Sequence, residues 1–184
     1  MDKDAENYQL FLETGKDSYF ADIVLKYKDG LLLFINTYVV DMAAAEDLSI
    51  DAFTVLGVKR PKFKGNSSFK TWLYSIGKNL AIDYLRKRER HKELPLEEYA
   101  NESSGNEMLN SYIKEEQKQE LHKSLSKLKP EYRQVLWLKY FENLSGKEMA
   151  VIINKSVHAT EMLVNRAKNA LREQLEKDGF EYEE

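Results

Sequence analysis

The sequence contains no cysteine, and it has only 8 glycines and 3 prolines in 184 residues. The absence of cysteine excludes a disulfide framework, thiol chemistry and zinc sites built on thiolate. So few glycines and prolines exclude collagen-like chains and turn-rich all-β chains. No run of eighteen apolar residues occurs, so no membrane span is expected. The start, MDKDAENYQ, is acidic and polar, unlike a secretory signal. We therefore expect a cytoplasmic protein with one large domain or two small ones.

Motifs typical of catalysis and cofactor binding are also missing. The sequence has no G-x-x-x-x-G-K-[ST] loop, no G-x-G-x-x-G loop and no G-x-S-x-G elbow. His91, His122 and His158 are far apart in sequence and lack the spacing of metal ligands, so we interpret them as ordinary surface residues. We expect no catalytic residue, no metal and no cofactor.

The basic residues are concentrated in one segment. Residues 59–92 hold eleven Lys and Arg against two acids, Asp83 and Glu89, whereas the rest of the chain holds 17 basic and 29 acidic residues. The formal net charge of −3 therefore conceals a segment of net charge +9 in an otherwise acidic protein of net charge −12.

Apolar residues recur at helical spacing nearly throughout, with no sustained period-two alternation, which predicts an all-α protein. Pro61 and residues 65–68 predict a loop, with Ser68 as the N-cap of a long helix from Phe69 to about Arg90. Shorter helices are predicted before it, over residues 5–14, 18–29, 31–42 (a buried helix) and 46–59.

The composition changes over residues 91–112, which are acidic, rich in Ser and Asn, and contain Pro95 and Gly105. This segment predicts a flexible tether between two small helical domains. After it, Pro130 suits the first turn of a helix, and Ser145-Gly146-Lys147-Glu148 forms an S-x-x-E capping box. The predicted helices cover residues 130–141, 145–153 and 157–177, with a tight turn over 154–156.

The basic segment combines a loop with a helix. The helix carries an apolar stripe that faces a core, Leu73, Ile76, Leu80 and Tyr84, and a polar face, Ser75, Asn79, Asp83 and Arg86. Its cationic end follows the loop Lys62-Phe63-Lys64, which suits phosphate neutralisation and base stacking. The charge alone does not distinguish such a binding surface from a solvated helix whose last-turn cations complement the helix dipole.

Residues 145–172 predict a helix-turn-helix, whose second helix can enter a major groove. Helical spacing predicts an inward face of Val157, Thr160, Val164, Ala167 and Leu171. It predicts an outward face of His158, Met162, Asn165, Asn169 and Arg172, with Arg166 and Lys168 able to reach phosphates. Any small helical bundle could share this pattern, but two basic helical segments separated by a tether are less common by chance.

At this point the sequence resembles a known family, the extracytoplasmic-function sigma factors, the smallest promoter-recognition subunits of bacterial RNA polymerase. FKTWLYSIGKNLAIDYLRKRER at 69–90 is similar to region two, which melts and reads the minus-ten element. AEDLSIDAF at 45–53 is similar to the preceding helix, which docks on the clamp helices of the polymerase. LSKLKPEYRQVLWLKYFENLSGKEMA at 125–150 and RAKNALREQL at 166–175 are similar to region four.

The resemblance implies a region-two-like domain over residues 1–92, an acidic flexible linker over 93–111 and a region-four-like domain over 112–184. It implies a protein that directs core polymerase to promoters by melting the minus-ten element and binding the minus-thirty-five element. The implied partners are bacterial RNA polymerase core, promoter DNA and an anti-sigma factor.

The resemblance also implies site residues. The pocket for an unpaired base would involve Phe63, residues 64–68, Ile76 and Asn79, with cations holding phosphates. The DNA-binding residues so implied are Phe63, Lys64, Asn66, Ile76, Lys78, Asn79, Asp83, Arg86, Lys87, Arg88, His158, Thr160, Met162, Asn165, Arg166 and Lys168. The polymerase-binding residues are Asp47, Ile50, Asp51 and Thr54. Trp72 is expected in the core.

The sequence departs from the family pattern at two places. Ile50-Asp51 stands where the family usually has Gln-Glu. In the recognition helix, Glu161 and Leu163 replace the usual Lys and Arg, and an acid facing phosphate is repulsive. Binding of a minus-thirty-five element would then be weak, unusual in preference or supported by a further partner. Two alternatives follow: a plain helix-turn-helix regulator of duplex DNA, and a sigma-like protein that occupies polymerase without reading promoters.

Overall fold

The computed structural model describes residues 2–92, 121 and 123–179, and this part of the chain is helical without a strand. This agrees with the predicted all-α class. Two π-helical turns, Val55–Lys59 and Trp137–Phe141, each continue the α-helix that precedes them. The helices are α1 (Lys3–Thr14), α2 (Asp17–Val39), α3 (Met42–Thr54), α4 (Phe69–Lys92), α5 (Pro130–Leu136), α6 (Gly146–Ile153) and α7 (Val157–Lys177). Within the described ranges, no helix is both long enough and apolar enough to cross a membrane.

Helix α2 joins what the sequence pattern predicted as two helices, 18–29 and 31–42. Gly30 lies inside it, and the helix ends at Val40, which adopts a left-handed backbone with φ 52°. Val40, which lies in the segment predicted as a buried helix, is 61% exposed. Asp41 then caps α3, its carboxylate accepting the backbone N–H of Ala44 at 3.1 Å.

The core of the N-terminal part lies where α2, α3 and α4 pack together. Leu31, Phe34, Ile35, Leu56 and Leu73 are fully buried there. Burial of each such side chain contributes about 1.5–3 kcal/mol, so this core holds α4 and the loop before it in place. The predicted apolar stripe of α4 contributes to it, with Ile76, Leu80 and Tyr84 partly buried against the cluster.

The C-terminal part begins its helices where the sequence predicted. Pro130 occupies the first turn of α5, and the capping box of Ser145 and Glu148 is formed at the start of α6. Asn154 ends α6 with φ 56°, and the Ser156 hydroxyl caps α7, accepting from the Ala159 N–H at 3.1 Å. These local signals confirm the predicted helix-turn-helix.

The two parts are packed against each other, chiefly α4 against α6 and α2 against α5. Lys70 forms an ion pair with Glu142 at 2.7 Å, the Ser68 hydroxyl donates to Glu148 at 3.0 Å, and Arg133 donates to the Thr37 carbonyl at 3.3 Å. The linker implied at 93–111 lies outside the described residues, as does all but the beginning of the tether predicted over 91–112, and the boundaries of the two domains stay predictions.

Candidate nucleic-acid interface

The loop before α4 projects a short basic tip. Its backbone turns at Arg60 and at Gly65, where φ is 46° and 72°, and a Cβ at Gly65 would meet no atom within 4 Å. Lys64, Gly65 and Asn66 are exposed. Ser68 ends the loop as the predicted N-cap of α4, its hydroxyl oxygen accepting the Thr71 N–H at 3.2 Å. The tip is therefore open to solvent and the loop end is fixed.

An aromatic cluster supports the base of this loop. The ring of Phe63 is half-buried, with its centroid 5.8 Å from that of Phe69 and 5.2 Å from that of Trp72. Trp72 packs in the cluster, as expected for a core residue. Phe63 thus has one side committed to the protein, and only its remaining surface is available to a base.

The polar face of α4 is exposed along its second half. The exposed residues are Asn79, Asp83, Arg86, Lys87 and Arg88. A carboxylate oxygen of Asp83 lies 3.6 Å from the Arg86 guanidinium, and both side chains are more than half exposed. An ion pair of this exposure contributes little to stability, so Arg86 stays free to exchange partners. Ile76 is half-buried against the core and sits beside this face rather than on it. The exposed residues of the loop tip and of this polar face together are called the loop–α4 surface: Lys64, Gly65, Asn66, Asn79, Asp83, Arg86, Lys87 and Arg88.

Lys78 differs from its neighbours because it lies in a cleft between the two parts. It lines a cavity of about 330 Å³ together with Tyr38, Arg86, Glu131 and Lys155. Burial lowers the pKa of Lys78, since desolvation disfavours the ammonium. In this arrangement of the parts, Lys78 faces the C-terminal part across a cleft that Arg86 of the loop–α4 surface also lines.

The predicted polymerase-binding residues share one face of α3. Asp47, Ile50, Asp51 and Thr54 recur at three and four residues and are all exposed, Ile50 by 57%. Val58, on the π-helical turn that follows, is also exposed. Ile50 and Val58 add apolar surface to this exposed face, and its role in docking on polymerase stays a prediction.

Comparison with known sequences assigns the fold to a family. The family model for sigma-70 region 2 matches residues 23–91, and that for sigma-70 region 4 matches residues 118–171. The ECF RNA polymerase sigma factor SigW of Bacillus subtilis (strain 168) is 32% identical over 178 residues, covering 89% of this chain and 92% of that protein. This chain belongs to the extracytoplasmic-function (ECF) sigma factor family.

Other similar proteins support the assignment of this sigma factor to the ECF family. The ECF RNA polymerase sigma-E factor of Escherichia coli (strain K12) is 25% identical over 169 residues, 87% of this chain and 88% of the relative. The structure of the sigma factor RpoE in complex with the anti-sigma factor NepR from Bartonella quintana has a TM-score of 0.67 and 25% identity over 85% of this chain and 96% of that one. CnrH in complex with the cytosolic domain of CnrY, at 22% identity, shows the same fold with a TM-score of 0.68 over 96% and 99% of the two chains.

The recognition helix of this sigma factor, α7, exposes most of the predicted contact residues: His158, Met162, Asn165, Arg166 and Lys168. Thr160 is the exception: helical spacing predicted it on the inward face and the structure agrees, whereas its implied role as a DNA-binding residue is wrong. It is fully buried, and its hydroxyl donates to the Ser156 carbonyl at 2.9 Å. Thr160 therefore serves the turn of the motif and has no surface to offer DNA. Val157, predicted to face inward, is 38% exposed instead.

The two departures in α7 have different structural consequences. Leu163 is only 9% exposed and packs in the core, so it lies away from the outward face of the helix. Glu161 is exposed, with its carboxylate beside Gly146 at the start of α6, 3.3 Å from where a Cβ would lie. A helix N-terminus attracts a carboxylate, so this position favours the charge of Glu161. Only Glu161 thus changes the charge of the outward surface.

Sequence reasoning missed the residues that join the sigma factor's two parts. Lys70 was counted only among the basic residues, yet its ammonium pairs with Glu142, seventy-two positions away. No local signal marks such a contact. Among the residues that the structure describes, no cluster of three His, Asp or Glu side chains could hold a metal ion.

Proposed function

We propose that this ECF sigma factor directs bacterial RNA polymerase core to promoters and captures the separated minus-ten strand on the loop–α4 surface. Lys64, Arg86 and Arg88 would hold phosphates, and Asn79 would contact a base edge beside Phe63. The sigma factor contributes binding, and the polymerase carries out bond formation. Because polymerase and promoters are in the bacterial cytoplasm, we place its action there.

The observation that carries this proposal is the exposure of the loop–α4 surface. Lys64 and Asn66 at the loop tip and Asn79, Arg86 and Arg88 on α4 reach solvent. Phosphate contacts require such cations, and base contacts require a polar or aromatic side chain beside them. Asp83 lies on the same face, and its carboxylate would repel a phosphate that came close to it.

Two further surfaces complete the proposed cycle. The exposed face of α3 formed by Asp47, Ile50, Asp51 and Thr54 would dock on polymerase, and the outward face of α7 would contact the minus-thirty-five duplex. An anti-sigma factor is proposed as a regulator, supported by the likeness to RpoE, whose structure is a complex with NepR.

Of the alternatives, a plain helix-turn-helix regulator is not favoured, because the region 2 match over residues 23–91 would have no role in it. A protein that occupies polymerase without reading promoters is distinguished by transcription. Start sites that arise when the sigma factor is overexpressed identify a promoter, and run-off transcription with purified core and sigma factor should then start there. No sigma-dependent transcript on that fragment would contradict the proposal.

Residue roles are tested on the same promoter with Lys64→Ala and Asn79→Ala, because neither side chain belongs to the core. We expect permanganate reactivity of the minus-ten thymines to fall about fivefold for each variant, which corresponds to about one lost hydrogen bond or phosphate contact. Affinity for core polymerase should stay unchanged. Lys28→Ala, which removes an exposed cation from α2, is the matched control and should open the promoter normally.

A further inference from the structure

The first helix, α1, lies outside the region 2 match, which begins at residue 23. Yet α1 holds both ends of the loop proposed to capture DNA. At the beginning of the loop, the Tyr8 hydroxyl lies 2.9 Å from the Pro61 carbonyl oxygen and 3.3 Å from that of Leu56. Tyr8 is fully buried, so this hydroxyl has these carbonyls in place of water.

At the other end of the loop, a single carboxylate caps two helices. Asp2 accepts the Asp4 N–H at 3.1 Å, which caps α1, and its second oxygen accepts the Phe69 N–H at 2.7 Å. Phe69 is the first residue of α4, and its N–H has no partner within the helix. Asp2 therefore fixes the start of α4 relative to α1, next to the N-cap Ser68.

Ring contacts reinforce the hold of α1 on the loop. The ring of Tyr8 packs 5.4 Å from Phe69 and 5.6 Å from Trp72, the residues on which Phe63 rests. The guanidinium of Arg60 lies over the ring of Phe11, with 4.7 Å to the centroid, and stabilises the left-handed turn that opens the loop. Between these anchors, the tip residues are exposed.

We infer that Tyr8 and Asp2 are positioning residues for strand capture: by fixing the Pro61 carbonyl and the Phe69 amide, they set the spacing of the loop ends and so the placement of Phe63 and Lys64. The inference rests on the proposed function of the loop–α4 surface. It assigns α1 a part in promoter opening through the loop, without contact to DNA.

The test uses full-length sigma factor with polymerase core and a single-stranded oligonucleotide carrying the minus-ten non-template sequence of the mapped promoter. Tyr8→Phe removes only the hydroxyl, and Asp2→Ser keeps a side-chain oxygen to cap α1 but is too short to reach α4. For each variant we expect roughly two- to tenfold weaker binding of the oligonucleotide by the holoenzyme, the range for one hydrogen bond. Binding of the sigma factor to core should be unchanged.

Tyr27→Phe is the matched control. The Tyr27 hydroxyl is also buried and donates to Asp4 of α1 rather than to the loop, and the variant keeps the ring, which packs 6.3 Å from that of Phe69. Its removal should leave oligonucleotide binding at the wild-type level, whatever its effect on the urea midpoint. An equal loss in Tyr27→Phe, or wild-type binding by both Tyr8→Phe and Asp2→Ser, overturns the inference.

A separate variant distinguishes failure of the inference from failure of the proposed function. If Lys64→Ala weakens oligonucleotide binding while Tyr8→Phe and Asp2→Ser do not, only the role of α1 is wrong. If Lys64→Ala also binds as wild type does, the loop–α4 surface does not capture the strand, and both proposals are wrong.

Discussion

The carboxylate of Glu142 lies 2.7 Å from the ammonium of Lys70 and joins the C-terminal part of the sigma factor to the start of α4. The same ammonium donates to the Glu142 carbonyl at 2.8 Å, and the Trp137 indole N–H donates to the carboxylate at 3.2 Å. The Glu142 side chain is 9% exposed. A carboxylate so buried needs these partners, so the packing of the two parts depends on this contact.

Glu142→Gln tests the energy of that contact. The amide keeps an oxygen for the indole but loses the charge that compensates Lys70. We expect the free energy of unfolding to fall by about 1–3 kcal/mol, the range for hydrogen bonds to charged groups, measured by urea denaturation. Asp83→Asn breaks the exposed pair with Arg86 and should cost less than about 0.5 kcal/mol. Equal losses would show that Glu142 is not buried in solution.

Gly30→Ala should destabilise the protein although Gly30 lies inside a helix. A Cβ there would lie 2.7 Å from the Tyr74 hydroxyl and 2.8 Å from a carboxylate oxygen of Glu142. The helix propensity of Ala favours the change by about 1 kcal/mol, but forcing apart two groups packed against each other costs about 1–3 kcal/mol or more. We expect a net loss in the urea midpoint.

Gly146→Ala is the control for helix propensity. A Cβ at this position would meet the flexible side chain of Glu161, at 3.3 Å, and Val157 at an ordinary contact distance of 3.9 Å. The midpoint should stay the same or rise. A rise for Gly30→Ala as well would mean that Tyr74 and Glu142 do not approach α2 in solution.

The pH dependence of stability should report on Glu148. Burial raises the pKa of its carboxyl, but hydrogen bonds from the Ser145 hydroxyl and N–H and the Ser68 hydroxyl outweigh burial and hold the pKa below its ordinary value of 4.5. A folded-state pKa below the unfolded one gives stability that is complete above about pH 4.5 and is lost as pH falls through the folded value. Glu148→Gln, which retains a capping-box side chain, should lack this contribution.

We therefore expect the stability difference between wild type and Glu148→Gln to be constant near neutral pH and to shrink in acid.

Asp178 provides a second test, at lower pH. Hydrogen bonds from Lys127, Ser124 and Gln174 lower its pKa to about 2, so the advantage of wild type over Asp178→Asn should persist to lower pH. Urea titrations across the acid range measure both. A difference that grows on acidification would contradict the assigned contacts of Glu148.

Local signals in the sequence predicted much of the fold. The capping box, the left-handed Asn154 and the Ser156 cap act within a few residues, and they determine the start and end of α6 and the start of α7. The sequence pattern predicted separate helices over 18–29 and 31–42, on either side of Gly30, and Gly usually weakens a helix. In the structure Gly30 lies inside α2, where the close approach of Tyr74 and Glu142 leaves no room for a side chain. That constraint comes from residues distant in sequence.

The candidate site could be predicted only in part, for the same reason. Spacing placed Asn79 and Arg86 on an outward face of α4, and both are exposed. Spacing within α7 correctly placed Thr160 inward, but it also placed Val157 inward, and Val157 is 38% exposed at the first position of the helix. The contacts of Asp2 and Tyr8 with the loop span more than fifty residues, which no periodicity encodes.

Leu163→Arg restores the residue type usual in the family, and it should not restore DNA binding. Leu163 is buried beside a cleft lined by three cations, Lys78, Arg86 and Lys155, and one carboxylate, Glu131. A guanidinium there would lose its hydration and add to the positive charge. We expect a loss of stability of roughly 3 kcal/mol or more, seen by urea denaturation. A stable variant with tighter duplex binding would show that α7 is rotated from the orientation described.

Glu161→Lys should strengthen binding of the holoenzyme to the upstream duplex, because Glu161 is exposed near the N-terminal end of α7, which enters the groove in this motif. Each added phosphate contact steepens the dependence of log affinity on log salt by about one, so titrations at several salt concentrations measure it. Glu173→Lys adds the same charge twelve residues further along the exposed helix. An equal change in both variants would indicate a general charge effect, and an unchanged slope for Glu161→Lys would mean that α7 does not approach phosphate.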